Sequence, residues 1–365
     1  MPKSRYFHIA LAGSAVLAMA FPAARLLAQA PAAPPTPSAA NPWVALTPFP
    51  DPSEEVLGAS AGGKFYVFAG LAPGWKPKGM VQEFDPATNS WTQKKPMQLP
   101  SHHVAFTTLN DKIYAFGGFR LPDSGPPAWE PINNVWEYDP AADSWRELAP
   151  MPTKRGAASA AVANGKIYVT GGANSLPGVT ENGIHPQRPH NVLATVEEYD
   201  PATNSWRTVR PMLVARNHHA AAGVGDKVYV IGGRIGSAFI SAGSNNIDLV
   251  EMYDPATDRW IARDKMPTRR SALGNGVYNG KIIVVGGEFQ DRFQFSAYRA
   301  TEVYDPALNT WNILPSMRYP RHGVAAGVVG NRLYVVSGDG QSAGSGIEHS
   351  AVPFNEALQL DLVLK

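Results

Sequence analysis

The chain has no cysteine among its 365 residues. That excludes disulfides, thiolate nucleophiles and zinc–thiolate centres. Charge of one sign is also missing: 32 Lys and Arg stand against 30 Asp and Glu. Lys3, Arg5 and Arg25 are the charged residues of positions 1–30, so the remainder balances at 29 against 30. A chain so neutral carries no electrostatic footprint for nucleic acid. It shows no Ser-His-Asp order, no phosphate-binding glycine loop and no metal-binding helix signature. Beyond residue 30 no apolar run is long enough to span a bilayer.

The start of the chain differs from the rest. Lys3 and Arg5 precede an apolar stretch at positions 9–24, and Ala28-Gln29-Ala30 fits a small-x-small cleavage site. Residues 1–30 therefore read as a signal peptide, and residues 31–42, rich in Pro and Ala, as a spacer. The mature protein is expected in the periplasm or secreted, as a monomer without a membrane span.

What the chain does have is a repeat. Its clearest copy runs from Arg155 to Trp206. A run of small residues meets Asn164-Gly165, a strong hairpin signal. The β-branched and aromatic run 166–170 then stops at Gly171-Gly172. A third strand ends at Tyr199-Asp200-Pro201, which suits a turn and not a ladder interior. A fourth carries Trp206. Glycines at 70, 118, 172, 233, 287 and 338 each follow a tryptophan, at 43, 91, 145, 206, 260 and 311, by 27 residues. The reverse gaps, glycine to next tryptophan, vary from 21 to 34. The segment from tryptophan to diglycine is thus rigid, and length variation enters the loop after the glycines. Units of about 50 residues with four strands each point to a propeller.

Gly-Gly, then Val-Glu-x-Tyr-Asp-Pro, then Trp, then Met (Met97, Met151, Met212, Met266, Met317) resembles the Kelch repeat. The resemblance spans roughly residues 42–365. Ala69-Gly70 and Ser337-Gly338 depart from the diglycine. It implies an all-β fold: a six-bladed propeller of four-stranded antiparallel blades over residues 43–365. The sixth unit lacks its own tryptophan strand, with Leu360-Asp361 in its Tyr-Asp slot. The strand around Trp43 is expected to complete that blade and remove the open edge.

Two kinds of loop open on one propeller face, those after the tryptophan strand and those after the glycines. That face carries the length variation and is the candidate binding face. Ten residues past each tryptophan stand Ser53, Ser101, Arg155, Arg216, Arg270 and Arg321. The next position holds Glu54, His102, Gly156, Asn217, Ser271 and His322. Leu71, Phe119, Ala173, Arg234, Glu288 and Asp339 follow the glycines. Pairing the ends within each blade predicts Arg270 beside Glu288, Arg321 beside Asp339, and Arg216 beside Arg234. The arginines could bond backbone carbonyls as structural groups. Alternatively, the like-charged Arg216 and Arg234 await an anionic ligand.

Trp75, Trp129, Phe239, Phe289, Phe293, Phe295 and Tyr298 lie in the loops. They could stack on sugars, anchor a protein or pack one loop on another. Histidines 102, 103, 218, 219 and 322 fall near the channel mouth. No metal site and no cofactor is expected. The copper-radical sugar oxidases that share the repeat use a cysteine joined to a tyrosine, which this chain lacks.

Two functions follow from the resemblance. One is an exported binding module for a protein or glycan ligand on the loop face, with Trp75, Trp129, Phe293, His102, Asp339 and the arginines as contacts. The other is a carbohydrate-active enzyme similar to the exported Kelch mutarotases of sialic acid. It would act on an anionic sugar with Glu288, Arg270 and His322 as catalytic groups.

Overall fold

The computed structural model describes residues 36–38, 40–73, 76–178, 183–185, 188–237, 245–343 and 350–364. Residues 1–30, read above as a signal peptide, and Trp75, Phe239 and His349 lie outside them. Among the described residues, no helix is long and apolar enough to cross a membrane.

Six four-stranded antiparallel sheets follow one another along the chain. Blade 1 comprises Glu54–Ala61, Lys64–Ala72, Lys76–Asp85 and Ser90–Gln93. Blade 2 runs from Ala105–Leu109 to Ser144–Leu148, and blade 3 from Ser159–Ala163 to Ser205–Val209. Blade 4 runs from Ala220–Val224 to Arg259–Arg263, and blade 5 from Gly274–Tyr278 to Thr310–Leu314. Blade 6 orders Ala325–Val329, Arg332–Val336 and Asn355–Gln359, and takes Trp43–Ala45 as its outermost strand.

The ring is therefore closed by the N-terminal strand, as expected. Its register sets Trp43 opposite Leu358. In the other blades the residue opposite the tryptophan is the aromatic of the Tyr-Asp pair, as in Tyr199↔Trp206 and Tyr253↔Trp260. Leu358, not Leu360, thus fills the tyrosine slot of blade 6. Leu360–Leu362 instead turns into a short 3₁₀ segment, which the third strand of a propeller blade has no need to contain.

Blades adhere through large side chains. Tyr199, Ile167 and Val169 of blade 3 pack with Phe116, Val135 and Met151 of blade 2. Each of the six repeat tryptophans also donates its indole N–H backwards to the preceding blade, as Trp206 does to Ala149 O at 2.9 Å, Trp260 to Arg210 O at 2.9 Å and Trp43 to Pro315 O at 2.7 Å. An indole so placed is buried without a lost hydrogen bond. Near the axis the strands crowd. A Cβ on Gly223 would sit 1.8 Å from the Val162 carbonyl oxygen, so only glycine fits there. In the diglycine slots Ala69 and Ser337 adopt the left-handed conformation at φ 68° and 54°. Ser337 is held there through its hydroxyl, which donates to Ser53 O at 2.8 Å and accepts from Ser53 N at 3.0 Å.

Candidate functional site at the channel mouth

The ends of the strands meet one residue out of step with the sequence-based pairing. The residue after each glycine pairs with the eleventh position past the tryptophan, not the tenth: Asn217↔Arg234, Ser271↔Glu288 and His322↔Asp339. A one-residue shift in a strand exchanges the faces. The arginines at the tenth position consequently leave the mouth.

Arg155, Arg216, Arg270 and Arg321 are fully buried. Each meets a glutamate of its own blade's third strand: Glu197, Glu251, Glu302 and Glu356. Arg155 Nη1 also donates to Gly171 O and Thr195 O, both at 3.0 Å, which ties the diglycine to the loop that follows. Arg216 and Arg321 repeat that pattern on Gly232 O and Leu249 O, and on Ser337 O and Phe354 O. The predicted pairs Arg270–Glu288 and Arg321–Asp339 do not form. Nor do Arg216 and Arg234 make a like-charged pair, since Glu251 neutralises one and Glu288 the other. Among these five arginines none is left for an anionic ligand. A sequence signal for the true partner exists. Glutamate stands two residues before the tyrosine slot in the four units that carry the arginine, whereas Gln82 and Trp136 stand there in the two that carry serine.

Arg234, Glu288 and His322 form a second, sealed network. Arg234 Nη1 donates to Glu288 Oε1 at 2.7 Å. His322 Nε2 lies 3.6 Å from Glu288 Oε2, and both residues are 1% exposed. Ala343 N donates to the same oxygen at 2.8 Å, so the blade-6 loop lies against it. Burial pushes the Glu288 carboxyl up, but His322 and Arg234 outweigh it and hold its pKa below the usual range. Burial draws His322 down, yet the carboxylates of Glu288, Glu55, Glu54 and Asp339 raise its pKa above the ordinary value. Arg270 lies outside this network, so the catalytic candidates Glu288, Arg270 and His322 are not brought together. Asp339 closes its own loop, accepting from Ser350 N at 2.9 Å and Ser350 Oγ at 2.7 Å.

The loop aromatics divide. Trp129, expected as a contact, is buried against His102, His103 and Phe119. Its strand segment bridges Ile184 of the next blade's loop, so it packs one loop on another. His102 is fully buried in the same group. Phe293 is 81% exposed. It sits at the tip of a two-stranded ribbon, Glu288–Gln290 with Phe295–Ala297. Asp291 fixes the turn by accepting from Phe293 N and Gln294 N, both at 2.7 Å. Arg292 lies over the Phe293 ring at 4.6 Å.

A further set was singled out in the sequence only through two of its members, His103 and His218. Twelve residues past the tryptophans stand Glu55, His103, Ala157, His218, Ala272 and Gly323. All six adopt the left-handed conformation, which only glycine takes without cost. Their peptides link blade to blade around the axis. Ala157 N donates to His103 O at 2.9 Å, His218 N to Ala157 O at 3.0 Å, Ala272 N to His218 O at 2.8 Å and Gly323 N to Ala272 O at 3.0 Å. This ring opens on an axial cavity of about 380 Å³, lined by the inner strands and by Glu55, His103, His218 and His219. His103 Nε2 lies 3.3 Å from Glu55 Oε2. Burial raises the Glu55 carboxyl, but His103 overcomes it and brings the pKa to about 2. Burial and the nearby Arg234 hold His218 well below the usual histidine value. Stacking the repeat two positions further on would have revealed this ring.

A closed six-bladed β-propeller with arginine–glutamate pins, diglycine turns and a polar channel mouth is a repeat protein of the Kelch architecture. The chain belongs to the Kelch-repeat family: the KLHDC2/KLHL20/DRC7 Kelch-repeats domain matches residues 43–214, and the Kelch motif matches 215–267 and 269–318. Kelch-like protein terF of Aspergillus terreus is 28% identical over 297 residues, covering 79% of this chain and 61% of that protein. Kelch-like protein 25 of Xenopus tropicalis is 29% identical over 205 residues, covering 56% of this chain and 32% of that protein. The matched region thus spans about a third to three fifths of these relatives. The solved structure of YjhT superposes with a TM-score of 0.64 at 19% identity, over 85% of this chain and 96% of that one. That likeness shows a common fold.

Proposed function

We propose that the protein is an exported recognition module that binds a protein partner on its loop face and performs no chemistry there. The observation that carries this reading is Phe293, 81% exposed on an ordered ribbon tip. A rigid, exposed aromatic with a cation beside it loses little entropy on docking and suits an interface anchor. Supporting it, Glu288 and His322 are buried and Glu288 is held below the usual carboxyl range. A carboxyl poised for acid catalysis near neutral pH would be shifted upward instead. Glu288 is therefore ill-suited to serve as the acid in the enzyme reading on an anionic sugar.

A peptide-display selection against the full chain tests this, read beside a glycan array. Peptides that bind the wild type and lose at least about tenfold affinity on Phe293→Ala support the reading. Binding that ignores Phe293→Ala and Phe295→Ala, or ligands confined to the glycan array, would overturn it.

A further inference from the structure

The polar ring at the mouth points to a site that the recognition reading does not use. We propose that Glu55, His103 and His218 form a binding site for one first-row divalent metal ion of the zinc(II) class, with two imidazoles and one carboxylate as ligands.

Geometry carries the argument. One donor atom from each of the three residues lies within 4.8 Å of the other two. Ligands on a shared zinc ion sit about 3.3 Å apart, since each bond is about 2.0–2.1 Å. Side-chain rotation closes that difference. The backbones of His103 and His218 are already fixed by interblade hydrogen bonds from Ala157 N and Ala272 N. The donors come from blades 1, 2 and 4, so no local sequence motif would announce the site.

The surroundings fit a cation. His218 Nδ1 contacts Asn217 Oδ1 at 2.7 Å, which leaves Nε2 as the outward donor. His103 Nδ1 contacts His102 Nδ1 at 2.5 Å, with Nε2 towards Glu55. Such second partners orient metal-binding imidazoles. Four carboxylates, those of Glu54, Glu55, Glu288 and Asp339, act on this mouth. Arg234 is the guanidinium paired among them. Arg234 Nη2 lies 2.9 Å from His218 Nε2, so an incoming ion displaces this contact. Arg234 keeps Glu288 at 2.7 Å and Asn217 at 3.2 Å. Three protein ligands leave a coordination position open to the axial cavity.

The test is calorimetric titration of the chelator-treated full chain with zinc chloride, with magnesium chloride as the hard-cation control. Cobalt(II) chloride supplies a visible spectrum. Uptake of one zinc per chain with cobalt d–d bands is expected, and no magnesium uptake. Glu55→Gln and His218→Ala should each weaken zinc binding about tenfold or more. Glu137→Gln, a carboxylate on the third strand of blade 2, should leave it unchanged. Glu55→Gln preserves side-chain shape, so its thermal melt separates lost ligation from lost folding. No stoichiometric zinc uptake by the wild type overturns the proposal. So does uptake that survives Glu55→Gln and His218→Ala in one chain.

Discussion

Blades 3 to 6 and blades 1 to 2 solve one problem in two ways. Each must fill the slot beside the turn after its second strand at the crowded mouth. Blades 3 to 6 do so with a buried arginine–glutamate pair, and in blades 3, 4 and 6 the arginine also bonds carbonyls. Blades 1 and 2 place Ser53 and Ser101 in the arginine slot. Ser53 exchanges hydrogen bonds with Ser337, and Ser101 Oγ donates to Leu99 O at 3.0 Å. In blade 2 the glutamate slot holds Trp136, buried with Phe68, Tyr138 and Trp145. The difference teaches that the charge is optional but the pairing is not. Where an arginine enters, its glutamate enters too, because an unpaired buried charge costs far more than a neutral filling.

The largest expected effect breaks one side of this comparison. Glu251→Ala strands Arg216 and should cost about 3–5 kcal/mol in urea unfolding. Replacing both partners together, Arg216→Met with Glu251→Leu, should recover most of that loss. Ser53→Ala, in the corresponding slot of blade 1, should cost only about 1 kcal/mol. Equal losses in the two blades would refute the contrast.

Ring closure comes next. Trp43 is 2% exposed and seals blade 6. Trp43→Ala should cost about 3–5 kcal/mol by loss of packing. Removing residues 36–41 should leave the melting temperature nearly unchanged.

A pH effect sharpens the comparison further, because two of the pinned arginines flank a histidine. Burial, with Arg216 and Arg155, lowers the His219 pKa to about 3. In the unfolded chain it returns to about 6.5. Neutral His219 therefore stabilises the fold fully above pH 6.5, and this contribution falls away as pH drops towards 3. The loss should reach about 2.7 kcal/mol near pH 4.5. His219→Gln should flatten that part of the pH profile of unfolding free energy.

The smallest effect lies on the surface. Phe293→Ala should change stability by no more than about 0.5 kcal/mol, while weakening binding of the selected peptides at least about tenfold. A melt and a binding assay on the same sample separate the two.

The repeat was legible because its parts are local. An interval of 27 residues between tryptophan and glycine, set against loops of varying length, exposes a rigid unit without any tertiary information. The missing tryptophan strand of the last unit, with a spare one at Trp43, announced the closure. The site was less legible. Pairing the arginines with the residues after the glycines required the register at a bulged, left-handed turn. There a single residue decides which way a side chain points. Glu55 shows the difficulty. It follows a run of Asp, Pro, Ser and Glu and looks like solvent-facing loop, yet its strand pairing skips it and its backbone stands at φ 51°.

The sequence alone therefore determined the class of fold, the number of blades, the closing strand and the face on which length varies. Each of these depends on spacing and composition within one unit. Tertiary structure alone decided which glutamate each arginine meets, that Trp129 is buried while Phe293 is not, and that Glu55, His103 and His218 converge. Residues 48 and 115 positions apart in the chain become neighbours only when six blades close around one axis. The closed ring converts a repeated position in the sequence into a shared place in space.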